Sequence, residues 1–288
     1  MSAQLPPIAI PASWADAIST RVSRRSYLTD SLDPAATSRL NELCANLSGL
    51  YPDARAVLVN EPDADIFTGI VGAYGVVIQH APAFVALVGS GAYVEPDPTG
   101  ATDPNRKPMY SDLSIGRIGE AIVLEATSLN LGTCWVAGSF DRTKAERYVA
   151  HGPDELLRAV TPVGTAAPIE GAVQRAMQAL VKARTRLPLD TIAPASAQWP
   201  AWARDVARMV QAAPSGKNGQ PWRMRVDGGS LVLAHETGAP LVATYMADMG
   251  IALMHAEVAL ASAGQAGEWR ISHPDATGEV ARFTPAGA

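Results

Sequence analysis

Four stretches of the chain carry side chains suited to holding a ligand. Arg24-Arg25-Ser26 puts two guanidiniums and a hydroxyl side by side, a set that can grip a phosphate or a polyol through forked, charge-assisted hydrogen bonds. Taken alone, it reads more readily as a solvated basic helix end. The stretch from Ala213 to Trp222 is richer. Pro214, Ser215, Asn218 and Gln220 are spaced by glycines that let backbone N–H groups approach a ligand, which favours a ligand loop over a plain helix-to-strand connection. In Thr133-Cys134-Trp135-Val136-Ala137-Gly138, small residues and free backbone donors can lie against a flat ring, and a buried strand beside a tight turn explains them equally well. Lys182, Arg184 and Arg186 can neutralise a phosphate or simply end an exposed helix.

Other chemistries find less support. Cys134 sits among apolar neighbours and is expected to be a buried, inert thiol. The five histidines have no metal-ligand spacing and no obvious nucleophile partner; His255 is expected to be a packed residue, and Tyr110, Tyr245 and His255 are no more than candidates for a proton donor. No glycine-rich dinucleotide fingerprint and no Walker lysine motif is present. The formal charge of −5 argues against a broad nucleic-acid face, and two cysteines are too few for a disulfide scaffold, so a reducing, cytoplasmic setting is expected. The opening residues lack a basic and then apolar leader, and no run is long and apolar enough to span a membrane. A 48% hydrophobic share supports a sizeable core in one large domain or two.

The elements that must position these residues follow from pattern. After an irregular apolar arm, Ser13 is expected to cap a first helix, and Asp33-Pro34 to open a second. Strands are predicted at 56–60, 83–89, 133–138 and 159–166, and a long loop at 89–108 that can cover a site. The clearest early helix is 112–129, closed at Asn130-Leu131-Gly132. A short helix at 172–183 precedes a Pro/Ala/Ser-rich boundary at 188–200. Beyond it come a helix at 201–212, two strands joined by Asp227-Gly228-Gly229, a helix at 248–263, one strand and a frayed tail. The segments starting at Asp112 and Asp248 both set an aspartate before a helix rich in small residues, a weak internal repeat that suggests two related halves.

Together these segments resemble the FMN-dependent nitroreductase family. The resemblance rests on Arg24-Arg25-Ser26, on Pro214-Ser215…Asn218…Gln220-Pro221-Trp222, on Asn130-Leu131-Gly132-Thr133-Cys134-Trp135, and on Arg184-Thr185-Arg186-Leu187-Pro188. The order is unusual, because the Ser/Asn/Gln loop follows the other elements, as in a subfamily where two degenerate halves are fused into one chain. The resemblance implies an α+β fold with a central, mostly antiparallel sheet flanked by helices. It implies halves at 1–190 and 191–288 forming an internal pseudo-dimer, as a monomer or as a homodimer of the whole chain. It further implies one FMN site between the halves and a ping-pong hydride transfer from NAD(P)H to a small-molecule oxidant, without nucleic-acid or membrane partners. In that reading Arg24, Arg25 and Ser26, helped by Arg184 and Arg186, hold the phosphate and the pyrimidine edge. Pro214, Ser215, Asn218 and Gln220 contact the ribityl chain and ring, and the backbone of Trp135, Val136, Ala137 and Gly138 lies near N5. Leu28 stands where the family often has a cation. The alternative is a flavin-binding protein without turnover.

Overall fold

A computed structural model of the chain describes residues 3–63, 65–67, 78–90, 106–168, 175, 185–236, 243–272 and 277–287. The expected loop at 91–105, the expected helix at 172–183 apart from Arg175, and Arg184 lie outside them.

Sequence patterning sets most local elements. Helix α1 runs Ser13–Thr20; Ala12 rather than Ser13 holds the capping position, so Ser13 already belongs to the helix. Helix α2, Pro34–Ser48, starts as the sequence predicts, with the Asp33 carboxylate accepting from the N–H groups of Ala35 and Ala36. Strands β2 (Ala54–Asn60) and β3 (Ala83–Ser90) follow, then the long helix α3 (Arg106–Ser128). α3 begins earlier than predicted because Pro108 falls in its first turn, where a missing N–H costs nothing. Asn130 closes it in a left-handed conformation, φ 60°. Strand β4 (Gly132–Thr133), helix α4 (Arg142–Glu146) and strand β5 (Glu155–Gly164) complete the first set.

The expected boundary at 188–200 folds into helix α5 (Leu189–Ile192) and a single 3-10 turn, Ser196–Gln198. Helix α6 (Ala201–Gln211), strands β6 (Trp222–Asp227) and β7 (Ser230–His235), helix α7 (Ala243–Ser262) and strands β8 (Gly267–Ile271) and β9 (Glu279–Pro285) form the second set. The β6–β7 turn places Gly228 and Gly229 at φ 56° and 81°, the left-handed pair that a two-residue hairpin needs. Two expectations fail at the chain ends. Residues 279–285 are not a frayed tail but a strand paired on both sides, and Ala3–Gln4, strand β1, is not irregular but pairs with β8.

The strands form two separate antiparallel sheets rather than one central sheet. One has the order β2-β3-β5-β4, the other β1-β8-β9-β7-β6. Leaving β1 aside, both use the same connectivity: a helix, a hairpin, a long helix, and two strands in which the last one pairs inside the one before it. The long helices explain the separation, because each shares a core with its own sheet and the two pack on one another. α3 packs on the first sheet, and α7 shares a core with Trp222, Leu231 and Leu233 of the second. They approach so closely that a Cβ on Gly116 would sit 1.9 Å from the Ala247 carbonyl oxygen, and one on Gly250 2.1 Å from that of Leu113. Only glycine permits this contact. The apolar residues sort accordingly into a core centred on α6, α7 and the second sheet and two cores in the first set, with Leu5, Leu113, Met254 and Val258 crossing over.

Candidate functional site

Two of the predicted site segments are tied to the α3–α7 pair: Trp135 to Glu120 of α3, and the 214–220 loop to Asp248 of α7. From the first set comes the extended segment after α1. Arg24 N–H donates to Thr133 O at 2.7 Å, Gln79 N–H to Arg25 O at 2.8 Å, and Ala167 N–H to Ser26 O at 2.9 Å. These bonds fix Arg24, Arg25 and Ser26 beyond the helix end, not within it, and lay the strip along β4. Arg24 packs so close to Gly132 that a Cβ there would meet the Arg24 side chain at 3.0 Å. Trp135 follows directly. Its indole Nε1 donates to the Glu120 carboxylate of α3 at 2.8 Å. Val136 is tied to Val160 in both directions, at 3.0 and 2.9 Å, so its N–H is already used, while Ala137 and Gly138 are exposed.

From the second set comes the loop between α6 and β6. Lys217, Asn218 and Gln220 all adopt positive φ, so the chain doubles back tightly. Its polar side chains serve the loop and the preceding segment. Asn218 Oδ1 accepts from Arg186 at 2.8 Å while its Nδ2 donates to Thr185 O at 2.9 Å. Buried Gln220 accepts from Leu187 N–H at 2.8 Å, and its amide nitrogen reaches Asn218 O and Thr185 O. Ser215 Oγ accepts from Gln220 N–H at 2.9 Å, which leaves its hydroxyl proton to donate. Pro214 is half-buried beside it. Asn218 and Gln220 thus hold Thr185–Leu187 and present Arg186. Asp248 of α7 supports the loop from below, accepting from Gly216 N–H at 2.9 Å. Its other carboxylate oxygen is buried without a hydrogen bond, and burial pushes this carboxyl up to about 7.

Sequence reasoning missed the residue that links the two clusters. Arg21, just past α1, carries a side chain only 7% exposed, 3.9 Å from Glu120. Its charge is felt at Arg186, whose pKa burial and this second guanidinium lower, and at Cys134, where burial nonetheless drives the thiol upward. Its available signal was its place one turn before Arg24-Arg25. Glu120 is fully buried and also meets His255 Nε2 at 3.0 Å, while His255 Nδ1 lies 2.9 Å from Met209 O. A carbonyl can only accept, so Nδ1 carries a hydrogen. His255 is therefore packed and bonded at both nitrogens, as expected for a structural residue. Tyr245 stacks obliquely on His235, ring centroids 5.3 Å apart. Among the described residues, no three His, Cys, Asp or Glu side chains cluster as metal ligands, and no helix is long and apolar enough to cross a membrane. The arrangement gathers cations, amide clamps and one unspent hydroxyl around a seam. Such a donor set suits an anionic, polyol-bearing ligand; among the described residues, Arg21 Nε and one Asp248 oxygen are buried without a hydrogen bond.

The solved structure of a "putative nitroreductase" from Thermotoga maritima shares the fold over 96% of this chain and 95% of its own, with a TM-score of 0.54 at 18% identity. A nitroreductase family protein from Streptococcus pneumoniae matches 62% of this chain and 98% of its own at 18% identity, TM-score 0.44. An FMN-dependent nitroreductase from Clostridium difficile matches 54% and 89% at 13% identity, TM-score 0.39. No curated protein matches the chain. The family model described as "Putative TM nitroreductase" matches residues 104–260, a stretch that spans α3, α7 and the loop between α6 and β6, and the chain belongs to that nitroreductase family of oxidoreductases.

Proposed function

We propose that the chain is an FMN-dependent NAD(P)H oxidoreductase with one flavin site per chain, at the seam between its two similarly connected sets of elements. The observation that carries this reading is the pair of contacts across the boundary, Glu120 (which holds Trp135) with His255 and Arg186 with Asn218, in a chain of this family. The shared connectivity of the two sheets supports an internal pseudo-dimer, with a boundary near residue 190 and the monomer as the complete unit. FMN, when bound, supplies hydride chemistry. The protein's part is placement. Arg24, Arg25, Arg184 and Arg186 neutralise the anionic end, Ser215 donates its hydroxyl, and Asn218 and Gln220 act indirectly by fixing Arg186. The reductant and a small-molecule oxidant then use the same open face in turn, a ping-pong scheme.

The test is a visible spectrum of the purified protein before and after FMN addition and desalting, followed by NADH or NADPH. Retained flavin bands that bleach with either nucleotide are expected. Bands that persist unbleached favour flavin binding without turnover. A protein that retains no flavin after reconstitution rules the reading out. Size-exclusion chromatography with light scattering is expected to give one chain per particle.

A further inference from the structure

One chain of hydrogen bonds crosses from the first set of elements to the second. Trp135 Nε1 donates to Glu120 Oε2 at 2.8 Å, Glu120 Oε1 meets His255 Nε2 at 3.0 Å, and His255 Nδ1 donates to Met209 O at 2.9 Å. Glu120 and His255 are both fully buried, and every oxygen and nitrogen of the two side chains has its partner within the chain. Arg21 sets a positive charge 3.9 Å from the same carboxylate. The two ends belong to segments of the candidate site. Trp135 lies across α3 at Gly119, where a Cβ would come 2.3 Å from the indole Cη2, so the ring rests on bare helix and is held at its edge by Glu120. Met209 stands in the last turn of α6, and its carbonyl also accepts from Ala212 N–H at 3.1 Å, where the 214–220 loop is about to begin. Trp135 and Met209 each pack against both of the larger cores.

We propose that Glu120 and His255 are positioning residues: through Trp135 on one side and the end of α6 on the other, they hold the Trp135 segment and the 214–220 loop at one fixed spacing. The inference rests on the flavin reading above only for the identity of the ligand that the two segments share. A buried polar network is satisfied in one geometry alone, because a slide of α3 against α6 or α7 strands a carboxylate oxygen or an imidazole nitrogen away from water. Apolar contacts are non-directional and do not fix that spacing. Neither residue needs to touch the ligand; each acts through its neighbour.

The test compares wild type with Trp135→Phe, Glu120→Gln, His255→Gln and the double variant Glu120→Gln/His255→Gln. Without ligand, the readout is the two-dimensional N–H spectrum, in which the indole signal lost in Trp135→Phe is that of Trp135. His255→Gln is expected to move that indole signal. Trp135→Phe is expected to move the amide signals of residues 212–219; it leaves the buried pair intact, so it reports even if a buried substitution unfolds the chain. If each substitution disturbs only its own side, the link is refuted, whatever the chain binds. With FMN, the readout is the dissociation constant from flavin fluorescence. Each single variant of the pair is expected to weaken FMN by about 2- to 30-fold, and the double variant by no more than the larger single effect, because either break opens the same chain of bonds. A merely structural pair would lower the melting temperature and leave the affinity of the folded protein at its wild-type value. That result, or single effects that multiply in the double variant, refutes the positioning role while the flavin reading stands. Wild type that binds no FMN, with the spectral changes still crossing the seam, has the opposite meaning: the link stands and the flavin reading falls.

Discussion

Two guanidiniums lie along the same pair of helices, and only one of them is finished. Arg117 of α3 is fully buried and forms a double hydrogen bond with Glu257 of α7, 2.6 Å at each contact, with the Tyr51 hydroxyl as a third partner. Arg21, one helical turn along α3 at Glu120, has a distant carboxylate and no hydrogen bond. The contrast separates two uses of buried charge. A pair whose lone pairs and protons are all matched joins two elements in one geometry. A charge held only by a carboxylate 3.9 Å away fixes no such geometry. Asp112 and Asp248 differ in degree, since each keeps one buried carboxylate oxygen without a hydrogen bond. Asp112 has Arg158 at 3.4 Å and rises to about 6, whereas Asp248 has only the Gly216 N–H and rises to about 7.

The largest effect is expected at the finished pair. Arg117→Met strands Glu257 at the seam and should lower stability by about 3–5 kcal/mol in urea unfolding. Adding Glu257→Met should restore much of the loss. A single variant that loses under 1 kcal/mol would erase the distinction drawn above. Asp248 gives a pH signature of the unfinished kind. Its folded pKa of about 7 exceeds an unfolded value near 3.9, so between those limits the native state holds the extra proton. Its contribution should therefore fall as pH rises from about 4 to 7, by on the order of a few kcal/mol, and then level off. Asp248→Asn should flatten that part of the curve, measured by denaturation at pH 5 and pH 8; an unchanged slope would show that the carboxyl is not the source. Gly116→Ala should cost about 1–3 kcal/mol or more, because backbone and not a flexible side chain lies where the methyl would go. A silent Gly116→Ala would mean that the helices part without penalty.

Local chemistry was legible in the sequence. Asp33 caps, Asn130 ends its helix and Gly228-Gly229 turns the hairpin because each depends on neighbours within a few residues. The division into two sheets was not, since alternation marks a strand without naming its partner, and β9 pairs with β7 from more than forty residues away. At the site, the residue types of the 214–220 loop stand out in the sequence, but an amide reads the same whether it faces a ligand or, as Asn218 and Gln220 do, the backbone of residues 185–187. Arg21 and Glu120 are 99 positions apart in the chain, and Arg117 and Glu257 are 140 apart, so no periodicity connects them.

Strand β1 places a constraint on folding. Ala3 pairs with Ile271, and Leu5 N–H donates to Trp269 O, so this strand has its partners more than 260 residues along the chain. The first sheet, whose strands all end by Gly164, pairs without that distant segment. Docking of the arm closes a contact across a very large sequence separation, which makes it a natural late and slow step of folding.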